Sequence, residues 1–275
     1  MPIALVLAYY FAVGVPIDPV NVMWALLNIV IFHAAGNVWS DAFDYLCGVD
    51  NQNTYGVRLF VDGKFTAREF IEFAILLFAV GTLCALFLVW QTGLPFLAVT
   101  VAGIVAALVY PPLKYRVGGD VVIFLAYTVT PLLATAWIVT GSWPFDALWA
   151  VLPTGILTVS ILHANNLRDS ETDTKAGIRT LASVLGQKRS VLLYRFQLLA
   201  PFGIVLATVW LGILPMSVLL TLPVAVAVMS LCKQVGRLNG VNTAVIATLD
   251  AETAKTQLMF SMLMVIGLIA GHWLV

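Results

Sequence analysis

Charge is scarce in this chain. Its 275 residues include 14 Lys or Arg and 14 Asp or Glu, so only 10% are charged, against roughly 25% in a soluble domain. A chain of this length facing water would need a charged shell, and none can be assembled from so few residues. The equal numbers of each sign exclude the broad basic patch that nucleic-acid binding requires. Cysteine is scarce as well. Cys47, Cys84 and Cys232 are odd in number and show no paired spacing, which excludes a disulfide framework and a thiolate metal site. Met1-Pro2-Ile3 carries no basic n-region, so a cleaved signal peptide is not expected. Low-complexity linkers and soluble insertions are missing too, and a single domain over 1–275 is expected.

What the chain has instead is apolar length: 61% of it is hydrophobic and its mean hydropathy is +0.99. A membrane helix needs about 20 mostly apolar residues. Runs of that kind lie near 2–15, 20–38, 70–90, 95–111, 119–141, 145–164, 191–212, 215–232 and 256–275, the first of them short. Pro and Gly punctuate the boundaries: Pro16 and Pro19, Gly93 and Pro95, Pro111-Pro112, Gly141 to Pro144, and Pro215. The expected fold is an all-α, multi-pass transmembrane bundle of about nine helices.

Numbering the loops puts those after the second, fourth, sixth and eighth helices on one side of the membrane. They hold Arg58, Lys64, Arg68, Lys114, Arg116, Arg168, Lys175, Arg179, Lys188, Arg189, Lys233 and Arg237, with Arg195 and Lys255 at adjoining helix ends. All 14 basic residues thus share one face, while the opposite loops carry only Asp18 and Asp146. The positive-inside rule makes the basic face cytoplasmic, and a helix missed or added would have scattered these residues over both sides.

Two polar clusters open onto that face. The second helix runs out through Gly36-Asn37-Val38-Trp39-Ser40-Asp41-Ala42-Phe43-Asp44, with Gly48 and Asp50 beyond, and Asn37, Asp41 and Asp44 fall on one helical stripe. The sixth runs out through His163-Ala164-Asn165-Asn166-Leu167-Arg168-Asp169-Ser170-Glu171-Thr172-Asp173, where Asn166, Asp169 and Asp173 form a second stripe. Asp and Asn are also common helix caps, and one such cluster alone would read that way. Two of matched spacing on one face could confront each other. Grouped carboxylates repel unless cations neutralise them. Mg2+ takes one or two carboxylates and completes its octahedron with water and phosphate oxygens. The clusters thus suit metal ions that hold a diphosphate, with nearby Lys and Arg neutralising the remaining charge. Tyr110-Pro111-Pro112-Leu113-Lys114-Tyr115-Arg116, on the same face, is a proline-stiffened turn bearing two cations. His33 and His163 each precede a cluster; beside an oxygen-rich donor set they read as packing or hydrogen-bonding residues rather than ligands.

At these residues the sequence resembles the UbiA-type intramembrane aromatic prenyltransferases, which carry one Asn/Asp-rich motif after the second helix and another after the sixth. Asn165-Asn166-Leu167-Arg168-Asp169 through Asp173, Lys175, Gly177 and Thr180-Leu181 looks like the second motif of the branch that makes menaquinone precursors. Asn37 to Asp44 with Gly48 and Asp50 resembles that branch's first motif, continued by Arg58-Leu59 and Gly63-Lys64; Tyr110 and Lys114 match the tyrosine and lysine of the loop between the motifs. Ser40 and Ala42 stand where the branch usually shows a second asparagine and an aromatic. The family's first helix is normally longer, with an Arg-Pro near its start, so this chain reads as a shortened or mis-started form at that end.

The resemblance implies Mg2+-dependent transfer of a polyprenyl group from its diphosphate to an aromatic acceptor, inside an apolar chamber among the helices. It makes Asp41, Asp44, Asp169 and Asp173 the metal ligands. Asn37, Asn166, Arg168, Lys114 and Arg58 would bind the diphosphate, and Lys114, Arg58 and Tyr110 would be catalytic. The favoured acceptor is 1,4-dihydroxy-2-naphthoate, with 4-hydroxybenzoate or another ring as competitors. The polyprenyl chain would enter laterally from membrane lipid, and the location expected is the cell inner membrane with the site facing the cytoplasm. The rival from another class is a transporter, since intramembrane carboxylates also mark ion pathways. Against it, the carboxylates lie at one face rather than at the midplane and basic residues accompany them.

Overall fold

The computed structural model describes residues 1–48, 59–60, 62–143, 145–175, 177–238 and 243–274, and among them every regular element is helical. In chain order these are α1 (Pro2–Ala12), α2 (Pro19–Leu46), α3 (Ala67–Thr92), α4 (Phe96–Lys114), α5 (Gly119–Phe124), α6 (Thr130–Thr140), α7 (Leu148–Arg168), α8 (Ser170–Lys175), α9 (Leu181–Trp210), α10 (Ala225–Gly236) and α11 (Leu249–Leu274). A π turn, Leu125–Val129, joins α5 to α6 into one span, and a 3-10 segment, Met216–Val224, leads into α10. Eight spans are long and apolar enough to cross a membrane; α1, with 11 residues, is the short one. Each of the nine expected segments falls on a helix.

The boundaries differ most where polar residues continue a helix past its apolar part. The second helix, expected to end near residue 38, runs to Leu46, whereas the seventh, expected to begin near residue 191, is preceded by a short helical stretch from Leu181 that is broken at Gly186 (φ 72°, ψ 162°). Hydropathy marks where the hydrocarbon ends, whereas backbone hydrogen bonding carries the helix on into the headgroup region.

The chain divides into two compact units, one of Pro19–Leu113 and one of Met1–Asp18 with Lys114–Val275. In the first, α2 and α3 form an antiparallel hairpin. Trp24 meets Phe87, Asn28 donates from Nδ2 to the Gly81 carbonyl at 2.7 Å, and Phe32 meets Phe78. A Cβ at Gly81 would lie 3.2 Å from Ile31 and Phe32 atoms, so the small residue sets how closely the helices approach. Thr66 opens α3 with a reciprocal cap: its Oγ1 accepts the Glu69 N–H, and the Glu69 carboxylate accepts the Thr66 N–H at 2.7 Å.

In the second unit α7 is the central helix. It packs against α9, α11, α5 and α1, and Leu157, Leu167, Tyr194, Leu198, Phe260 and Met264 are fully buried around it. Polar rungs join it to α11: Thr158 with Gln257 at 3.4 Å, and Thr154 with Ser261 at 3.3 Å. Contacts at the two ends of this unit agree with the loop numbering. The end of α7 meets the start of α11 through Arg168 and Asp250, and the Arg179 N–H donates to the Tyr115 carbonyl. At the other end Tyr9 and Tyr10 donate to Asp146, and His272 lies 3.4 Å from the Ala12 carbonyl. Trp210 and Trp273 stand exposed at the ends of α9 and α11, as an aromatic belt at a membrane interface requires.

Candidate active site

The first motif lies within α2, which continues without a break through it. Asn37 and Asp41, one turn apart, are exposed; Asp44 is turned inward and only 8% exposed. Ser40 and Ala42, the positions that differ from the menaquinone-branch pattern, are both buried. The differences therefore concern packing rather than the exposed Asn37–Asp41 edge. The motif's helix is tied down at Trp39, whose Nε1–H donates to the Leu108 carbonyl at 3.4 Å. Pro112 explains why that carbonyl is available: a proline has no N–H to return to the residue four before it. The three cysteines are free thiols. Arg58 and Asp50 lie outside the described residues.

Tyr110 and Lys114 were expected in a loop and instead occupy the last turn of α4, with Pro111 and Pro112 between them. The helix stops at Lys114, whose Nζ lies 5.0 Å from the ring centre of Tyr115, a cation–π distance.

The second motif is built differently. Helix α7 ends at Arg168, Asp169 has left helical geometry (φ −92°, ψ 5°), and α8 starts at Ser170. The expected stripe thus bends at its middle carboxylate. Bonds from the Asp169 N–H to the Asn165 carbonyl and from the Asp173 N–H to the Asp169 carbonyl, at 3.0 and 2.8 Å, keep the turn helix-like. Gly177 closes α8 at φ 75°, with the Ile178 and Gly177 amides donating to the carbonyls of Asp173 and Thr174. That double closure needs a left-handed residue, which is the physical role of this glycine. Thr180 then caps α9 through the Ser183 N–H.

Asn166 is buried. Arg168 grips Asp169 with two parallel bonds, Nε to Oδ1 and Nη2 to Oδ2, each 2.8 Å. Its remaining reach goes to Asn165 and to Asp250 on α11. Most of its donors are engaged inside the protein rather than held out toward a diphosphate. Asp173 is half-buried, and its carboxyl is pushed up to about 7, mainly by burial and then by the Asp169 charge, with Arg168 pulling the other way. A carboxylate so raised is one that a cation would re-ionise.

The donors of both motifs are oxygens, as a hard divalent cation requires. Among the described residues no three His, Cys, Asp or Glu side chains are grouped to hold a metal ion. The carboxylates and amides of each motif are hard oxygen donors, so in kind these residues fit Mg2+.

One turn before Asn166, His163 is wholly buried, with Nε2 3.2 Å from the Ser190 carbonyl and Nδ1 3.4 Å from Asp120. It is a hydrogen-bonding residue, as expected. Asp120 and Asp250 were not singled out from the sequence. Loop numbering contained the signal for both, since they open the fifth and ninth spans on the face of the second motif.

A family model described as the UbiA prenyltransferase family matches residues 1–249. UbiA prenyltransferase domain-containing protein 1 of Gallus gallus is 31% identical over 232 residues, 82% of this chain and 69% of that protein. Its Homo sapiens counterpart is 28% identical over 276 residues, 98% of this chain and 78% of that protein. Among solved structures, a UbiA homolog from Aeropyrum pernix K1 gives a TM-score of 0.74 at 15% identity, covering 96% of each chain. A UbiA homolog from Archaeoglobus fulgidus, solved with DMAPP and Mg2+, gives 0.61 at 16% identity, covering 98% of this chain and 95% of that one. At such identities the two structures establish the shared fold.

Proposed function

The chain belongs to the UbiA prenyltransferase family, and from that premise we propose that it transfers a polyprenyl group from a prenyl diphosphate to an aromatic acceptor, with Mg2+ as cofactor. It is an integral membrane prenyltransferase. The acceptor we favour is 1,4-dihydroxy-2-naphthoate, because the run from Asn165 to Leu181 matches the menaquinone-precursor branch. The ring is the finer part of the reading, and the relatives support the reaction class only. The location proposed is a cell inner membrane with the site facing the cytoplasm, on the strength of the 14 basic residues on one face.

The observation that carries the reading is the second motif: two carboxylates, an asparagine and an arginine gathered at a helix break, at the basic end of a buried helix. Asp169 and Asp173 in the second motif, and Asp41 and Asp44 in the first, are the metal ligands we assign, and Asn166 and Asn37 would add amide oxygens. Mg2+ supplies neutralisation of the charge that grows on the departing diphosphate. Lys114 and Arg58 would pair with its remaining oxygens as cations that need no proton transfer, and Tyr110 would stand one turn before Lys114 as a hydroxyl donor. The surrounding helices are apolar, which keeps water from an allylic cation until the electron-rich ring attacks. The archaeal homolog solved with DMAPP and Mg2+ lends weight to a prenyl diphosphate and this ion here.

The test uses purified protein in detergent with labelled polyprenyl diphosphate, Mg2+ and a panel of rings. Mg2+-dependent diphosphate release with a lipid product from 1,4-dihydroxy-2-naphthoate is the expected result. Product formed only from 4-hydroxybenzoate keeps the reaction and replaces the acceptor. Solute uptake into proteoliposomes without any diphosphate release overturns prenyl transfer in favour of transport.

A further inference from the structure

Asp169 sits at the joint between α7 and α8, where no helix fixes the direction of its side chain. Arg168 grips it with two bonds, and Arg168 is itself held from another helix. A guanidinium has five N–H donors in one plane. Four bonds account for four of them: Nε and Nη2 to the two oxygens of Asp169, Nη2 again to Asn165 Oδ1, and Nη1 to Asp250 Oδ2 at 2.6 Å. The Arg168–Asp250 and Arg168–Asp169 pairs are partly shielded, with side-chain exposures of 18% for the arginine, 26% for Asp250 and 29% for Asp169.

Asp250 is itself held. It stands in the first turn of α11, where its Oδ1 accepts the Ala251 N–H at 2.9 Å, which leaves Oδ2 directed at Arg168. One turn on, Thr253 bonds the buried Tyr194 hydroxyl at 2.6 Å and pins α11 to α9. The chain of contacts thus runs from a packed helix start, through a planar cation, to a carboxylate at a helix break. The two-bond grip fixes the plane of the Asp169 carboxylate in line with that of the guanidinium. An arginine held only from the Asp169 side could swing with it; held from the Asp250 side as well, it cannot.

We propose that Asp250 is a positioning residue for the second acidic motif, acting through Arg168 to orient the Asp169 carboxylate toward the Mg2+ of the bound diphosphate. The inference rests on the prenyl-transfer reading above and assigns Asp250 no contact with substrate or metal. It also gives Arg168 a role different from that of a diphosphate clamp.

The test measures Mn2+ binding to the full chain in detergent, with inorganic pyrophosphate present, by the paramagnetic resonance signal of free Mn2+. It is paired with Mg2+ titrations of initial rate. Asp250→Asn is expected to weaken Mn2+ binding about 10- to 100-fold, the range for removing a group that orients a metal ligand. Its apparent Mg2+ constant should rise in step, with kcat at saturating Mg2+ largely retained. Asp250→Glu, which keeps the carboxylate, should recover part of the loss. Gln257→Leu serves as the structural control, because it removes an α7–α11 rung away from Arg168: it should lower the melting temperature without moving Mn2+ binding. If Asp250→Asn binds Mn2+ like the wild type, or loses no more than Gln257→Leu, the proposal is overturned while prenyl transfer stands. If the wild type forms no prenylated product and Asp169→Ala leaves Mn2+ binding unchanged, both fall together.

Discussion

The two acidic motifs are alike in composition and unlike in construction. The first is carried by α2, few of whose residues are buried and whose backbone is one uninterrupted helix; its polar edge follows from periodicity. The second is carried at the end of α7, the most buried of the spans, and crosses a helix break at which side-chain bonds take over from the backbone. An exposed helix presents its residues wherever the 3.6-residue repeat puts them. A buried one can leave the repeat at a chosen residue, because neighbouring helices supply the contacts that hold it. The consequence is that the first motif should tolerate changes around it, while the second should depend on partners far off in sequence.

Substitutions of the carboxylates test what the motifs share. Asp41→Ala and Asp169→Ala should each lower prenyl transfer on the order of 10^2- to 10^3-fold, the scale of losing one group that stabilises transition-state charge. Measured initial rates that stay intact in either variant would remove that motif from the site. Arg168→Lys tests what they do not share. A lysine cannot make the two-bond grip on Asp169, so the rate at limiting Mg2+ should fall roughly 10- to 100-fold although the charge is kept. Equal rates for Arg168→Lys and wild type would mean that the arginine supplies charge alone.

Packing sharpens the contrast further. A Cβ at Gly155 of α7 would lie 2.5 Å from Thr128, whereas one at Gly36 of α2 would meet only Ala107, at 3.8 Å. Gly155→Ala should destabilise the protein by about 1–3 kcal/mol, and Gly36→Ala should stabilise it by about 0.5–1 kcal/mol through helix propensity. Thermal midpoints in detergent distinguish the two, and a neutral Gly155→Ala would mean that α7 packs more loosely than described.

The smallest effect concerns pH. The Asp173 carboxyl is raised from 3.8 to about 7 in the fold, so its neutral form is the favoured one. Its contribution to the stability of the metal-free protein is therefore complete below the unfolded value near 3.8 and is lost as pH rises through about 7. Mg2+ needs the anion, so metal affinity should change the opposite way, rising up to about tenfold per pH unit below 7 and levelling above it. Melting curves in chelator and in Mg2+ with pyrophosphate should show these opposed trends, and Asp173→Asn should flatten both.

Much of the molecule is legible in the sequence. Scarce charge and long apolar runs dictate membrane helices, because the hydrocarbon layer admits no other use of them here, and each of the nine expected segments is helical. Loop numbering, a counting rule, put the basic residues on one face, and the contacts at both ends of the larger unit agree with it. The stripe from Asn37 to Asp44 lies on one helix because nothing interrupts the repeat. What the sequence could not decide was where a helix stops relying on its own backbone. Asp169 breaks α7 after Arg168, Asp250 reaches Arg168 from 82 positions away, and Asp120 meets His163 across two helices. Periodicity is local and can be read along the chain, whereas the grip on a carboxylate depends on which distant helix packs beside it.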